Sequence, residues 1–181
     1  MISCPLYHHF PKTEAILTEA FIDNLQANPY FLFMEYFKDQ DRYFIRIDKD
    51  EDLFGSLQKF AKAESLKSGH LSGIGALKDC ELGFFHLHSK SYDRKLFKDE
   101  VELLSLEGNL SFLEGEPFFH IHTVLGGPDF KCFGGHLFSA IVAVTCEINF
   151  RPLNMDVVRK PNPEVGLNLI QFCGIPSVKD S

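Results

Sequence analysis

EPFFHIHTVLGGPDFKCFGGHL, residues 116–137, decides how this chain is read. Its first half alternates with a period of two. Phe118, His120, His122 and Val124 fall on one side, and Phe119, Ile121, Thr123 and Leu125 on the other, as on a β-strand. His120 and His122 therefore share a face. Gly126-Gly127-Pro128-Asp129 follows as a turn signal. The chain then doubles back through Lys131–Phe133 and presents His136 after Gly134 and Gly135, which permit close approach of backbone. A His-x-His on one strand and a third His on its neighbour bring three imidazoles to one point. A catalytic zinc site commonly has three protein ligands and an open fourth position. The alternative for each histidine is a hydrogen-bonded, partly buried strand residue with no metal.

Outward from this hairpin, the period-two pattern predicts strands near 70–77, 80–87, 100–113, 117–125, 131–137 and 139–150, with Tyr43–Ile47 before them. Asp48–Asp52 suits a helix N-terminus, where carboxylates meet the positive dipole end. Leu53, Leu57, Phe60 and Ala61 then form a helical stripe expected to end near Gly69. Ser89–Arg94 reads as a loop. Gly108-Asn109 suggests a bulge or a close backbone approach. Met155–Arg159 and Gly166–Cys173 read as short apolar additions after the breaks at Pro152, Pro161 and Pro163. Before the strands, Thr13 can cap a short helix, and Tyr30–Phe37 is a dense aromatic run that suits a buried strand, a helix or a subunit contact.

Several runs together resemble the plant and prokaryote conserved (PPC) domain family, known also as DUF296 or PD1-like DNA-binding proteins. They are Gly73–Leu77, Glu81–Phe85, Leu103–Ser111, Gly115–His122 and Phe133–Leu137, in the family's order over about residues 42–150. The resemblance implies an α/β (α+β) fold: one compact domain with a mixed, largely antiparallel sheet and one main packed helix. It implies a stand-alone prokaryotic type, a homotrimer, and a metal held by His120, His122 and His136. The expected organisation is an N-terminal extension over 1–41, the domain over 42–150 and a C-terminal extension over 151–181. The shared motif around Asn109 makes that residue a candidate cofactor-binding position.

Composition bounds the function. A chain of 181 residues, 45% hydrophobic and 24% charged, is globular and long enough to bury a core. Its net charge of −7 repels a phosphate backbone, and its arginines are scattered, which counts against direct DNA binding by this chain. Five cysteines without a Cys-x-x-Cys read as free thiols in a reducing compartment. Cys80 and Cys146 fit the core, and Cys132, near the histidine cluster in sequence, is a candidate fourth ligand. No leader pattern or membrane-length apolar run is seen, so the expected location is cytoplasmic.

Other chemistries find little support. His86-x-His88 is a second pair without a third partner, and His70 reads as local structure. Glu147, inside the apolar run Ile141–Ile148, is a candidate general base or a group orienting a ligand histidine; the structural alternatives are a pair with an arginine across a subunit interface or a solvated place at the strand end. Cupin barrels also use His-x-His, but Gly126 and Gly127 stand where their glutamate belongs, and Ala140 where a second motif needs asparagine. Two function classes remain. One is a zinc-like metal site serving a metal-dependent hydrolase or lyase. The other is a non-enzymatic assembly or transcription-associated module whose histidines line a cleft for a small-molecule or protein ligand.

Overall fold

A computed structural model describes residues 34–172. The expectations for Thr13, for Tyr30–Phe33 and for Cys4 and Cys173 lie outside those residues. Nine strands and one helix follow in the order β1 (Met34–Asp39), β2 (Arg42–Asp48), α1 (Leu53–Ala63), β3 (Ser68–His86), β4 (Ser91–Phe97), β5 (Val101–Leu113), β6 (Glu116–Gly126), β7 (Cys132–Leu153), β8 (Val157–Asn162) and β9 (Leu167–Phe172).

The strands form one sheet. Its path runs β1-β2-β7-β3-β5-β8-β9, with β4 on β3 and β6 joined to both β5 and β7. All pairings are antiparallel except the short β5–β8 contact at Phe112 and Val158. Strands β3, β5, β6 and β7 therefore close a circuit: β3 pairs β5, β5 pairs β6, β6 pairs β7 and β7 pairs β3. Alternation along these strands sends Leu71, Leu103, Leu106, Leu110, Ile121, Leu125, Cys146 and Ile148 inward, all buried.

Helix α1 lays Leu53, Leu57, Phe60 and Ala61 onto this interior. It begins at Asp52, whose carboxylate accepts the Gly55 amide at 3.0 Å, the N-cap arrangement. It ends at Ala63, earlier than the apolar stripe suggested. Ser65 takes a positive φ of 51°, and the Leu66 amide returns to the Ala61 carbonyl at 2.9 Å, so the helix is closed off before Gly69, which belongs to β3. Tyr36 and Tyr43 both donate to Glu64 at 2.7 Å, which pins β1 and β2 to the end of the helix.

The expected strand pairs 70–77 and 80–87, and 131–137 and 139–150, are each one long strand. Register shifts between Gly75 and Leu82 carry β3 through a bend, with Asp79 at φ 48°. Ser89–Arg94 is only partly a connection, because Ser91 already begins β4. Met34–Phe37 of the aromatic run is strand, with Phe37 70% exposed. Gly108 is a close approach and not a bulge: a Cβ there would meet the His120 carbonyl oxygen at 2.5 Å. The irregularity in β5 falls instead between Leu103 and Ser105. The stretch after Pro152 forms the β8–β9 hairpin.

Candidate metal centre

The hairpin between β6 and β7 sets the site. The Phe130 amide closes the turn onto the Gly127 carbonyl at 2.9 Å, and the Gly127 amide donates to Lys131 at 3.0 Å. The resulting register places His122 opposite His136, and Thr123 opposite Gly135. Gly134 is required here. A Cβ at that position would lie 2.3 Å from the Thr123 carbonyl oxygen, so any side chain forces the two strands apart. Gly135 is equally crowded on its other side, 2.8 Å from the Gly83 carbonyl oxygen. Strand β7 is thus seated between β6 and β3 at the point where it carries His136.

His120, His122 and His136 converge on the outer face of the sheet. Ring centroids are 5.0 Å apart for His120–His122, 5.0 Å for His120–His136 and 5.4 Å for His122–His136. One nitrogen from each lies within 4.8 Å of the others. Donors around a tetrahedral zinc sit about 3.4 Å apart, given bonds of about 2.1 Å, a contraction within reach of ring rotation. His122 is exposed, and His120 and His136 are half-buried. The His136 Nδ1 is buried with no hydrogen-bond partner. A buried polar atom left unpaired is costly, and an ion bound through that nitrogen would satisfy it.

The surroundings keep two of these rings, His120 and His136, neutral. Burial pushes His120 down to about 4, helped by the positive charge of Arg159 and by His122. His136 is also pushed down to about 4, first by burial, then by His120, His122, Arg94 and Arg159. Neutral imidazole is the form that binds metal, because the lone pair is free. Aromatic neighbours supply the burial: Phe138 lies 4.5 Å and Tyr92 5.4 Å from the His136 ring.

Asn109 stands beside the cluster, directly opposite His120 in the β5–β6 register. Its Oδ1 accepts a hydrogen bond from Arg159 Nη2 at 3.0 Å. Arg159 is the residue that sequence reasoning passed over. It reaches the site only because β8 docks beside β5, a pairing between residues far apart in the chain. Arg94 flanks the other side, 3.7 Å from the Phe138 ring centroid and 3.4 Å from Glu81.

Glu147 is not brought to the histidines. It is half-buried on the outer face, aligned with Ile74 of β3 and Arg46 of β2, and it lines a shallow hollow with Phe44, Ser72 and Asn149. The His122 row runs through Glu107 and Ser72 to Asn149, so Glu147 lies three strands from His122 around the circuit, two residues beyond the end of that row. Its charge acts on Arg46, whose pKa it helps to raise after Asp48 and Glu35. Cys132 is exposed and pairs with Gly126, four register positions from the His122–His136 pair. Cys80 and Cys146 are buried core thiols, each pushed up to about 12 chiefly by burial. His86 lies 2.8 Å from Asp93 across β3 and β4, and His70 lies 3.3 Å from Glu107, so both have local partners. A cavity of about 970 Å³ lies away from the histidines, between the end of α1, the β5–β6 turn and β8, and Arg159 is among its lining residues.

A closed antiparallel circuit with a three-imidazole cluster on its outer face and one helix against its interior defines a small α+β domain class. The chain belongs to the Plants and Prokaryotes Conserved domain family, whose model matches residues 34–153. Solved structures agree. A candidate DNA-binding protein from Bacteroides thetaiotaomicron is 31% identical with a TM-score of 0.74, over 77% of this chain and 98% of that one. The metal-containing protein AF0104 from Archaeoglobus fulgidus is 34% identical with a TM-score of 0.68, over 76% and 96%. A plant- and prokaryote-conserved protein from Pyrococcus horikoshii is 32% identical with a TM-score of 0.68, over 78% and 96%. Among curated proteins, none matches the chain. No helix among the described residues is long and apolar enough to cross a membrane.

Proposed function

We propose that this protein is a metal-binding domain in which His120, His122 and His136 hold one divalent ion, zinc by the chemistry of three neutral imidazoles. The observation that carries this reading is the convergence of the three donors within 4.8 Å, one of the rings having a buried nitrogen with no other partner. The description of the Archaeoglobus relative as metal-containing supports it. Such an ion, with an open position, supplies Lewis acidity and lowers the pKa of a bound water. The chain's own residues hold His120 and His136 neutral, orient the three rings from two strands and exclude water from one side through Tyr92 and Phe138. Elemental analysis of untagged protein, purified without chelator, tests this. About one ion per chain is expected in the parent and none in the His120→Ala/His122→Ala/His136→Ala variant. No ion in the parent after zinc is supplied would overturn it.

A second reading, an assembly module, is favoured by exposed apolar side chains. Phe44, Ile74, Leu104 and Val144 are 49%, 59%, 48% and 64% exposed on the outer side of the sheet. Leu104 lines both shallow hollows there, which makes the patch continuous. Monomeric proteins rarely leave such patches bare. A homotrimer that covers this face is compatible with the metal reading. Light scattering should give about three times 20.6 kDa, and a single-chain mass would sink the trimer. The net charge of −7 disfavours direct contact with DNA, so a transcriptional role would act through partner proteins.

A further inference from the structure

Arg159 is a half-buried cation whose hydrogen bonds all end on neutral oxygens. Its Nε donates to the Ser111 hydroxyl at 2.8 Å, its Nη1 to the Asn168 carbonyl at 3.0 Å and its Nη2 to Asn109 Oδ1 at 3.0 Å. The guanidinium also lies 5.1 Å from the Phe118 ring centroid. Phe118 precedes His120 by two positions on the same face of β6, and Asn109 faces His120 across the strands. The guanidinium is therefore held in place beside the histidines. A guanidinium has five donors, and three are used, so one remains on each Nη nitrogen.

The charge balance points the same way. Three neutral imidazoles leave a divalent ion uncompensated, and Arg159 adds a further positive charge beside it. Like charges held together out of water are unfavourable unless an anion joins them. Arg94, across the cluster, has Glu81 at 3.4 Å, whereas the Arg159 acceptors carry no charge.

We propose that Arg159 and the three-histidine centre together form a receptor for a small oxyanion, a carboxylate or phosphate group, with one oxygen facing the metal position and another on the free Nη donors. The proposal rests on the metal reading above and names the class of ligand that site takes. Asn109 and Ser111 are positioning residues: they fix the guanidinium and leave its remaining donors unblocked.

The test uses the full chain loaded with Co²⁺, whose visible spectrum reports its coordination, and two probes, acetate and inorganic phosphate. The parent is expected to show a saturable spectral change with at least one of them at millimolar concentration. Acetate alone would assign a carboxylate ligand, and phosphate alone a phosphate group. Arg159→Gln is expected to keep full cobalt content and bind the same anion about tenfold more weakly, the usual scale for a charge-assisted hydrogen bond. Arg159→Lys, which retains the charge without the fork, should fall between them and serves if the glutamine variant misfolds. A cobalt-loaded parent whose spectrum ignores both anions up to tens of millimolar overturns the receptor and leaves the metal site standing. So does a folded Arg159→Gln or Arg159→Lys protein with the parent's anion affinity. A parent that takes up no cobalt removes the metal reading and the receptor with it.

Discussion

His136→Ala is expected to leave the sheet folded and to lower zinc affinity by more than ~100-fold. Loss of even an outer partner of a metal ligand costs 10–100-fold, and His136 is a proposed direct ligand. It is also the member of the cluster that comes from a different strand, with its ring 5.0 Å from His120 and 5.4 Å from His122. Without it, two imidazoles two residues apart on β6 remain. The fold should tolerate the change, because the Nδ1 removed is a buried atom with no partner in the protein. The readout is the rise in urea midpoint on adding zinc. A ligand that binds only the folded state at 100 times its dissociation constant stabilises by ~2.7 kcal/mol. The parent should gain on that scale and the variant almost nothing, while His86→Ala, at the other His-x-His, should behave as the parent. A His136→Ala protein with the parent's full zinc-dependent gain would exclude this residue as a ligand.

Gly134→Val should cost about 3 kcal/mol or more and abolish zinc binding as well. The clash is with backbone: the added Cβ would sit 2.3 Å from the Thr123 carbonyl oxygen and 3.4 Å from the Val124 Cα. A flexible side chain can swing aside, but a paired strand cannot without breaking its ladder. Overpacking typically costs 1–3 kcal/mol even where side chains absorb it, so this site belongs at or above that range. Because Gly134 lies two residues before His136, the displaced strand would also carry the third imidazole away from His122. Gly115→Ala is the contrast. It has a positive φ of 86° but nothing within 4 Å of a new Cβ, so it should cost only about 1 kcal/mol and leave zinc binding intact. A Gly134→Val variant as stable as the parent would mean that β6 and β7 do not pair as described.

These two residues also show how much of the molecule could be read in advance. The alternation of Phe118–Leu125 fixes which side each histidine takes, and the Gly-Gly-Pro-Asp turn returns the chain, so the meeting of His120, His122 and His136 was legible. So was the apolar stripe of α1, because its buried residues recur at helical spacing. Strand β4 was not legible, since Ser91–Phe97 is an outlying strand with no buried residue and has no apolar period to read. The bends in β3 and β7 interrupt the alternation, so each looked like two strands. Arg159 was invisible for a different reason. Its place beside Asn109 and Ser111 depends on β8 docking against β5, and no local pattern encodes that contact. Glu147 was open on its own stretch, as a base, a group orienting a histidine or an ion-pair partner; the pleat puts it on the outer face, away from Cys146 and Ile148, with Arg46 beside it in the register.

The circuit β3–β5–β6–β7 has a weakest link. Its shortest run of paired residues is His122–Gly126 against Cys132–His136, and that run ends at the histidine pair. The proposed ion would span this seam, gripping β6 through two side chains and β7 through one. It would work as a rivet at the place where the barrel unzips most readily. Metal supply would then set how long the domain survives between openings, and with it the protein's exposure to proteolysis.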